Sequence, residues 1–163
     1  MEIREARETD WPGIWAIFRA VVAGGDTYVY APATSEAEAR RIWTTPPATA
    51  YVALVDGTVV GTYVLRPNQP GLGSHVANAG FMVAPDCSSR GVGRAMGEHA
   101  LAQAERDGFS AMQFNSVVST NERAIRLWKS LGFSIVGTVP GAFRHATAGD
   151  VAIHIMHRMV TTS

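Results

Sequence analysis

A tight β-hairpin in the middle of the chain constrains the fold more than any other feature. Residues 51–55 and 58–65 are rich in β-branched and aromatic side chains, and only Asp56-Gly57 separates them. A two-residue turn of this kind joins antiparallel strands, whereas parallel strands need a crossover of roughly a dozen residues or more. Because helical patterns lie on both sides of the hairpin, we expect a mixed sheet rather than strict β-α-β alternation.

Hydrophobic periodicity and capping residues predict the other elements. Before the hairpin these are a strand at 1–5, a helix from Thr9 or Asp10 to Gly24, and a helix from Ser35 to Trp43. After it come a strand at 75–84, a helix at 91–106, a strand at 111–118, a helix at 120–131, and strands at 133–139 and 151–159. This order indicates an α/β fold of the mixed α+β kind.

The composition is that of an ordinary globular protein, with 47% hydrophobic and 17% charged residues, so we expect one domain over residues 1–163. Basic and acidic residues balance at 14 each, which gives no electrostatic footprint for nucleic acid or an anionic membrane. The lone Cys87 excludes an internal disulfide, and no metal site is expected. The N-terminus is charged and no apolar run reaches roughly 20 residues, so the expected compartment is the cytoplasm.

A glycine-rich segment, residues 88–95, follows a predicted strand and opens a predicted helix. Gly91 and Gly93 let the backbone approach a ligand closely, and the free amides of a first helical turn favour a phosphate or pyrophosphate. Arg90 and Arg94 add positive charge. The same residues also suit a simple chain turn, so this segment alone leaves both interpretations open.

The glycine spacing argues against a dinucleotide-dependent enzyme. Gly91, Gly93 and Gly97 do not match G-x-G-x-x-G, and the nearest downstream acids, Glu105 and Asp107, lie within or at the end of the same helix. A Walker A loop is excluded as well, because no Gly-Lys-Ser/Thr follows.

Residues 121–133 predict an amphipathic helix that Asn121 caps and Gly132 ends. Ala124 and Trp128 follow the cap at helical spacing, so the three side chains can share one face. Together with the glycine-rich turn and the single strand between them, this helix resembles motifs of the GNAT superfamily of acyl-CoA N-acyltransferases. The resemblance covers residues 1 to about 159, with tryptophan at position 128 where the family usually has tyrosine.

The resemblance implies a mostly antiparallel mixed sheet of about seven strands flanked by about four helices. Two neighbouring strands splay apart, and acetyl-CoA wedges between them. The amides of residues 90–95 would hold the pyrophosphate, although Ser88 stands where the family usually has arginine or glutamine. The backbone of residues 81–83 would pair with the pantetheine arm. The implied cofactor set is Phe81, Met82, Val83, Ser88, Ser89, Arg90, Gly91, Val92, Gly93, Arg94, Ala95, Asn115, Asn121, Ala124 and Trp128.

By resemblance, a neutral amine attacks the thioester carbonyl directly in a ternary complex. The backbone amide of Met82 or Val83 would stabilise the developing oxyanion. The strand before the turn carries no carboxylate, which leaves His75 as a candidate base and Asn78 as a holder of water. Trp128 would lie near the sulfur, where its indole N–H is not a useful proton donor to a thiolate.

The acceptor is expected to be a primary amine of a small molecule. Residues 27–43 and 140–145 resemble the phosphinothricin acetyltransferase-like branch, whose members acetylate small amino-acid-like amines. An arginine such as Arg66 or Arg144 would then pair with a substrate carboxylate. The candidate acceptor-binding residues are Tyr28, Tyr30, Trp43, Arg66, Asn68 and Arg144.

Two other functions and the oligomeric state stay open at this point. Acetylation of a protein N-terminus or lysine would require an open groove for the polypeptide. A non-catalytic acyl-CoA-binding module would explain two features: tryptophan rather than tyrosine at position 128, and the absence of a carboxylate from the strand before the glycine-rich turn. Apolar residues in the last strands, such as Val151 and Ile153, fit a homodimer and plain core packing equally well.

Overall fold

The computed structural model describes residues 1–160, which form one seven-stranded sheet covered by four α-helices. In chain order the elements are β1 (Glu2–Glu5), α1 (Trp11–Ala23), α2 (Glu36–Thr44), β2 (Thr49–Val55), β3 (Thr58–Pro67), β4 (Val76–Val83), α3 (Val92–Arg106), β5 (Ala111–Val118), α4 (Glu122–Ser130), β6 (Ser134–His145) and β7 (Gly149–Met159). The predicted mixed fold, with its central hairpin of β2 and β3, is confirmed. Within the described residues the longest helix, α3, has 15 residues, and none is long and apolar enough to cross a membrane.

The strand order is β1-β2-β3-β4-β5-β7-β6. All neighbouring pairs are antiparallel except β4 and β5, which are parallel because α3 crosses over between them. The sheet therefore consists of two antiparallel blocks that meet at a single parallel junction.

The parallel junction opens into a split. Strands β4 and β5 pair only at Val76 with Ala111 and at Ala77 with Met112, although both strands continue for six more residues. In its pairing with β7, strand β5 changes register between Phe114 and Val117. Such a bulge bends and twists a strand locally, which accounts for the divergence of β5 from β4.

Helices pack on both faces of the sheet. One face carries α1 and α2, with Phe18 and Trp43 buried against Val64 and Met82. The other face carries α3 and α4, which bury Met96 and Trp128. Because the split lies between these two cores, a ligand in it can contact residues from both faces.

Helix α1 begins differently from the sequence expectation. Asp10 precedes the helix but makes no side-chain cap. Its carboxylate instead accepts hydrogen bonds from the Arg4 guanidinium, at 2.7 and 3.0 Å, and from the Arg7 amide, at 2.7 Å. The hydrogen bonds from Arg4 lower the pKa of Asp10. A buried carboxylate beside an arginine gains more from a charge-assisted pair than from capping.

Strand β6 is longer than its apolar pattern predicts. The sequence pattern ends this strand at residue 139, yet β6 continues to His145 and β7 begins at Gly149. Pro140 and Gly141 are tolerated because β6 is an edge strand with a register shift between Val139 and Phe143.

Candidate active site

A cavity of about 720 Å³ occupies the split between β4 and β5. Eight parts of the chain line it: the end of α1, the segment between α1 and α2, α2 itself, β3, the outer half of β4, the turn into α3, the end of β5 and the first two turns of α4. It is the size of an ordinary ligand pocket and holds both apolar and polar groups. We divide it into an anion end at the start of α3 and an acceptor end beside α2.

The outer half of β4 presents alternate backbone groups to the cavity. At its two ends the Ala84 amide donates to Val60 (2.9 Å) and the Asn68 amide to Val76 (2.8 Å), so even-numbered residues of β4 bond to β3. The Met82 amide therefore faces β3, opposite Thr62. It is not available to a ligand in the split, contrary to its predicted role as an oxyanion donor. The amides of Phe81 and Val83 face the split instead.

The turn into α3 forms the anion end. Gly91, at φ 77°, precedes the helix in the left-handed region, where glycine is favoured. The next three amides, of Val92, Gly93 and Arg94, are the first of the helix and lack acceptors within it. Residues 90–95 were predicted to hold the pyrophosphate through their amides, but the first and last of these amides already donate within the protein. The Arg90 amide donates to the Cys87 carbonyl at 3.4 Å, and the Ala95 amide to the Gly91 carbonyl at 3.0 Å.

The side chains of the turn into α3 contribute less to the cavity than its backbone amides do. Ser88 and Ser89 line the cavity, but the Ser88 hydroxyl donates to the Pro85 carbonyl at 3.1 Å. Arg90 is exposed and, like Ala95, lies outside the lining. Backbone amides, rather than the predicted arginine at position 90, therefore dominate this part of the site.

Helix α4 borders the same end. The Asn121 side-chain carbonyl accepts from the Ala124 amide at 3.3 Å, as the capping pattern predicts, and both residues line the cavity. Arg94 donates to the Ser130 hydroxyl at 2.6 Å and so ties α3 to α4. Arg123 also lines the cavity and was missed from sequence, although its place in the first turn of a capped helix was a usable signal.

Trp128 closes the floor of the split. It is 8% exposed, and its ring centroid lies 4.8 Å from that of Phe81 and 4.7 Å from that of Phe114. Gly97 of α3 makes room for it, since a Cβ there would lie 3.1 Å from the indole ring. Trp128 is thus both a core residue and part of the cavity wall.

Aromatic side chains wall the acceptor end. The Tyr28 ring contacts those of Tyr30 and Trp43, at centroid distances of 5.7 and 6.4 Å. Burial raises the pKa of the Tyr28 hydroxyl, which is therefore protonated at neutral pH. A Cβ at Gly80 would lie only 2.6 Å from that hydroxyl oxygen, so this glycine admits Tyr28 to the edge of β4.

Two asparagines lie where the strands diverge. Asn78 donates to the Gln113 carbonyl of β5 at 3.0 Å, immediately beyond the last paired residues. Asn115 donates to the Asn68 side chain at 2.8 Å. Asn78 and Asn115 line the cavity, whereas Asn68 supports Asn115 from outside it.

Besides Arg90, Ala95 and Asn68, two more predicted site residues lie outside the cavity lining. His75 is exposed at the opposite end of β4, where its carbonyl accepts from the Ser110 amide at 3.0 Å. Arg144 is exposed on β6 and pairs with Asp150 at 3.2 Å. Both positions depend on strand direction and register, which local sequence does not specify.

The charged residues of the lining are all basic. They are Arg66, Arg94 and Arg123, and across residues 1–160 no aspartate or glutamate borders the cavity. In the same part of the chain, no three His, Cys, Asp or Glu side chains cluster in a way that could hold a metal ion. The site therefore favours anionic ligands and offers no side-chain carboxylate as a base.

Comparisons with known proteins agree with this architecture. A model of the acetyltransferase (GNAT) family matches residues 3–133. The N-acetyltransferase aca1 of Schizosaccharomyces pombe is 38% identical over 103 residues, which are 61% of this chain; the chain spans about half (49%) of that relative's length.

Among solved structures, a GCN5-related N-acetyltransferase from Kribbella flavida is 48% identical, with a TM-score of 0.93 over 97% of this chain and 96% of that one. A phosphinothricin acetyltransferase from Sinorhizobium meliloti, solved in complex with acetyl-CoA, shares the fold at 21% identity, with a TM-score of 0.86 over 97% of this chain and 87% of that one. By sequence and by architecture, this chain belongs to the GNAT family of acetyltransferases.

Proposed function

We propose that the chain binds acetyl-CoA in the split between β4 and β5 and transfers the acetyl group to the amine of a small molecule. The observation that carries this proposal is the meeting, in one cavity, of an open strand edge and the free amides of a helix N-terminus. An extended pantetheine arm suits the edge of β4, as an added strand would. The pyrophosphate suits the amides of Val92, Gly93 and Arg94.

Side chains around the anion end support the same assignment. Arg94 and Arg123 supply positive charge for phosphate groups. Asn121 lies beside the arm, with its carbonyl committed to the helix and its NH₂ group left as a donor. These contacts depend on charge and on backbone amides, so the serine at position 88 does not remove the site.

In the chemical step, the amine nitrogen forms a bond to the thioester carbonyl carbon and the carbon–sulfur bond breaks. The amides of Phe81 and Val83 face the split, but that of Phe81 hydrogen-bonds the Tyr28 hydroxyl, so the Val83 amide is the donor for the developing oxyanion. With no carboxylate in the lining, the amine's proton passes to water, for which Asn78 is the side-chain anchor. The departing thiolate takes its proton from water, because Trp128 is a poor acid.

The walls of the acceptor end favour a small molecule over a protein. Tyr28, Tyr30 and Trp43 pack into one cluster beside the split. A peptide acceptor would instead need an open groove. A pocket with aromatic walls and a few polar groups is the usual form of a small-molecule site. Acetylation of a protein N-terminus or lysine is thereby the less favoured acceptor class.

The proposal is tested by thermal unfolding, followed by turnover. At about 100 times its dissociation constant, a ligand stabilises the fold by about 2.7 kcal/mol, and we expect this from acetyl-CoA and CoA but not from NAD. Thiol release from acetyl-CoA with a panel of small amines then measures transfer. Stabilisation without turnover on any amine would identify a non-catalytic binding module, and no stabilisation at all would contradict the proposal.

A further inference from the structure

We infer that Arg66 selects the acceptor: the amine carries an oxyanionic group, which the Arg66 guanidinium binds at the acceptor end of the cavity. This inference rests on the proposed function and makes its substrate class narrower. It names a charge requirement and the residue that imposes it.

The first observation is the state of the Arg66 side chain. Arg66 lines the cavity, and its Nε atom is buried with no hydrogen-bond partner among residues 1–160. Over the same residues, no aspartate or glutamate forms an ion pair with it, whereas Arg4, Arg94 and Arg144 each pair with at least one acidic residue. An arginine N–H that is buried without an acceptor is costly, so a ligand that supplies the acceptor gains affinity.

The second observation is the position of Arg66 within the site. It lies opposite Asn78 in the β3–β4 register, and side chains of directly opposed residues share a face. Its positive charge also acts on the Tyr28 hydroxyl, against the burial that raises the pKa of that group. Arg66 therefore belongs with Tyr28 and Asn78 at the acceptor end, away from the start of α3.

The distribution of charge assigns the three arginines to two different ligands. Arg94 and Arg123 lie at the starts of α3 and α4, where the phosphates of acetyl-CoA are proposed to bind. Arg66 is on β3 and has no part in that anion end. Since no carboxylate among the described residues borders the cavity, a cationic acceptor would find no counter-charge there, whereas a planar oxyanion matches the guanidinium fork.

The experiment measures kcat/KM for matched acceptor pairs, an amino acid and its uncharged carboxamide, in the wild type and in Arg66→Met. The charge preference is the ratio of the two values, and comparing this ratio between enzymes cancels the different amine pKa values of the two acceptors. We expect Arg66→Met to reduce the preference roughly 10- to 100-fold, mainly through KM of the charged acceptor. Arg66→Lys should retain part of it, because the charge is kept and the fork is lost.

Controls separate this outcome from others. Arg126→Met removes an exposed arginine of α4 that pairs with Glu122 outside the cavity, and should leave the ratio unchanged. A parallel series with aminophosphonates distinguishes a carboxylate from a phosphonate as the preferred anion. If Arg66→Met folds too poorly to assay, Arg66→Lys carries the test, and an unchanged ratio in that variant counts against the inference.

An Arg66→Met enzyme that binds acetyl-CoA and keeps the wild-type charge preference would overturn the inference alone. If the wild type is not stabilised by acetyl-CoA, the proposed function fails, and the inference fails with it.

Discussion

The two ends of the cavity are built in different ways. The anion end consists of backbone amides and glycines from a short stretch of chain at the start of α3, completed by α4. The acceptor end consists of side chains from three separate segments, represented by Tyr28, Trp43 and Arg66. One end depends on local backbone conformation and the other on tertiary packing, so substitutions should affect them differently.

Trp128→Ala should have the largest effect, because Trp128 lines the cavity and also belongs to the core. Its loss leaves Phe81 and Phe114 without their shared neighbour, and we expect a destabilisation of about 3–5 kcal/mol. Urea unfolding measures this, with Trp128→Phe as the control that retains most of the packing. Equal stability of the alanine and phenylalanine variants would show that Trp128 is not part of the core.

Gly80→Ala should disrupt the acceptor end by steric collision. The new methyl group would lie 2.6 Å from the Tyr28 hydroxyl oxygen, and overpacking of this kind costs about 1–3 kcal/mol. We expect a raised KM for the acceptor with little change in acetyl-CoA affinity. Adding Tyr28→Phe removes the hydroxyl and should restore stability; failure of this rescue would mean that the collision is not with Tyr28.

Gly91→Ala should impair the anion end through backbone strain alone. Gly91 has φ 77°, and a Cβ added there would meet no atom within 4 Å; the same holds for Gly57, at φ 76° in the β2–β3 turn. Each alanine should destabilise the fold by about 1–2 kcal/mol, because both force a side chain into the left-handed region. Only Gly91→Ala should weaken acetyl-CoA binding, as measured by titration calorimetry. Equal weakening by both variants would refute a local role for the α3 turn.

Acid sensitivity should be the smallest effect and should not originate in the cavity. The pKa of Asp10 is lowered by its hydrogen bonds to Arg4, so its contribution is present above the ordinary carboxyl pKa of 3.8 and is lost as pH falls below it. We expect Asp10→Asn to cost about 1 kcal/mol at pH 7 and progressively less at pH values below 3.8. Urea unfolding across this range measures it; a constant difference would exclude the Arg4–Asp10 pair as the cause.

The same contrast explains how much was predictable from sequence. The turn before α3 and the Asn121 cap follow from local residue types, and the structure puts both at one cavity. The free amides of β4 were not predictable, because which residues face the split depends on the β3–β4 register: Phe81 and Val83 face it and Met82 does not.

Long-range packing also decides which acceptor candidates reach the cavity. Tyr28, Tyr30, Trp43 and Arg66 line it, whereas Arg144 is held on an edge strand by Asp150. The single domain, the cytoplasmic compartment and the homodimer stay predictions. For the homodimer the relevant surface is β6, an edge strand on which Val136 is 61% exposed.

Amide hydrogen exchange by NMR shows whether acetyl-CoA occupies the split along the open edge of β4. Without ligand, the Met82 amide should be protected by its bond to β3, and the Val83 amide should exchange faster. On addition of acetyl-CoA, we expect new protection of the amides of Val83 and of Gly93 in the α3 turn, with the Met82 amide unchanged. Binding that leaves Val83 and Gly93 unprotected would contradict it.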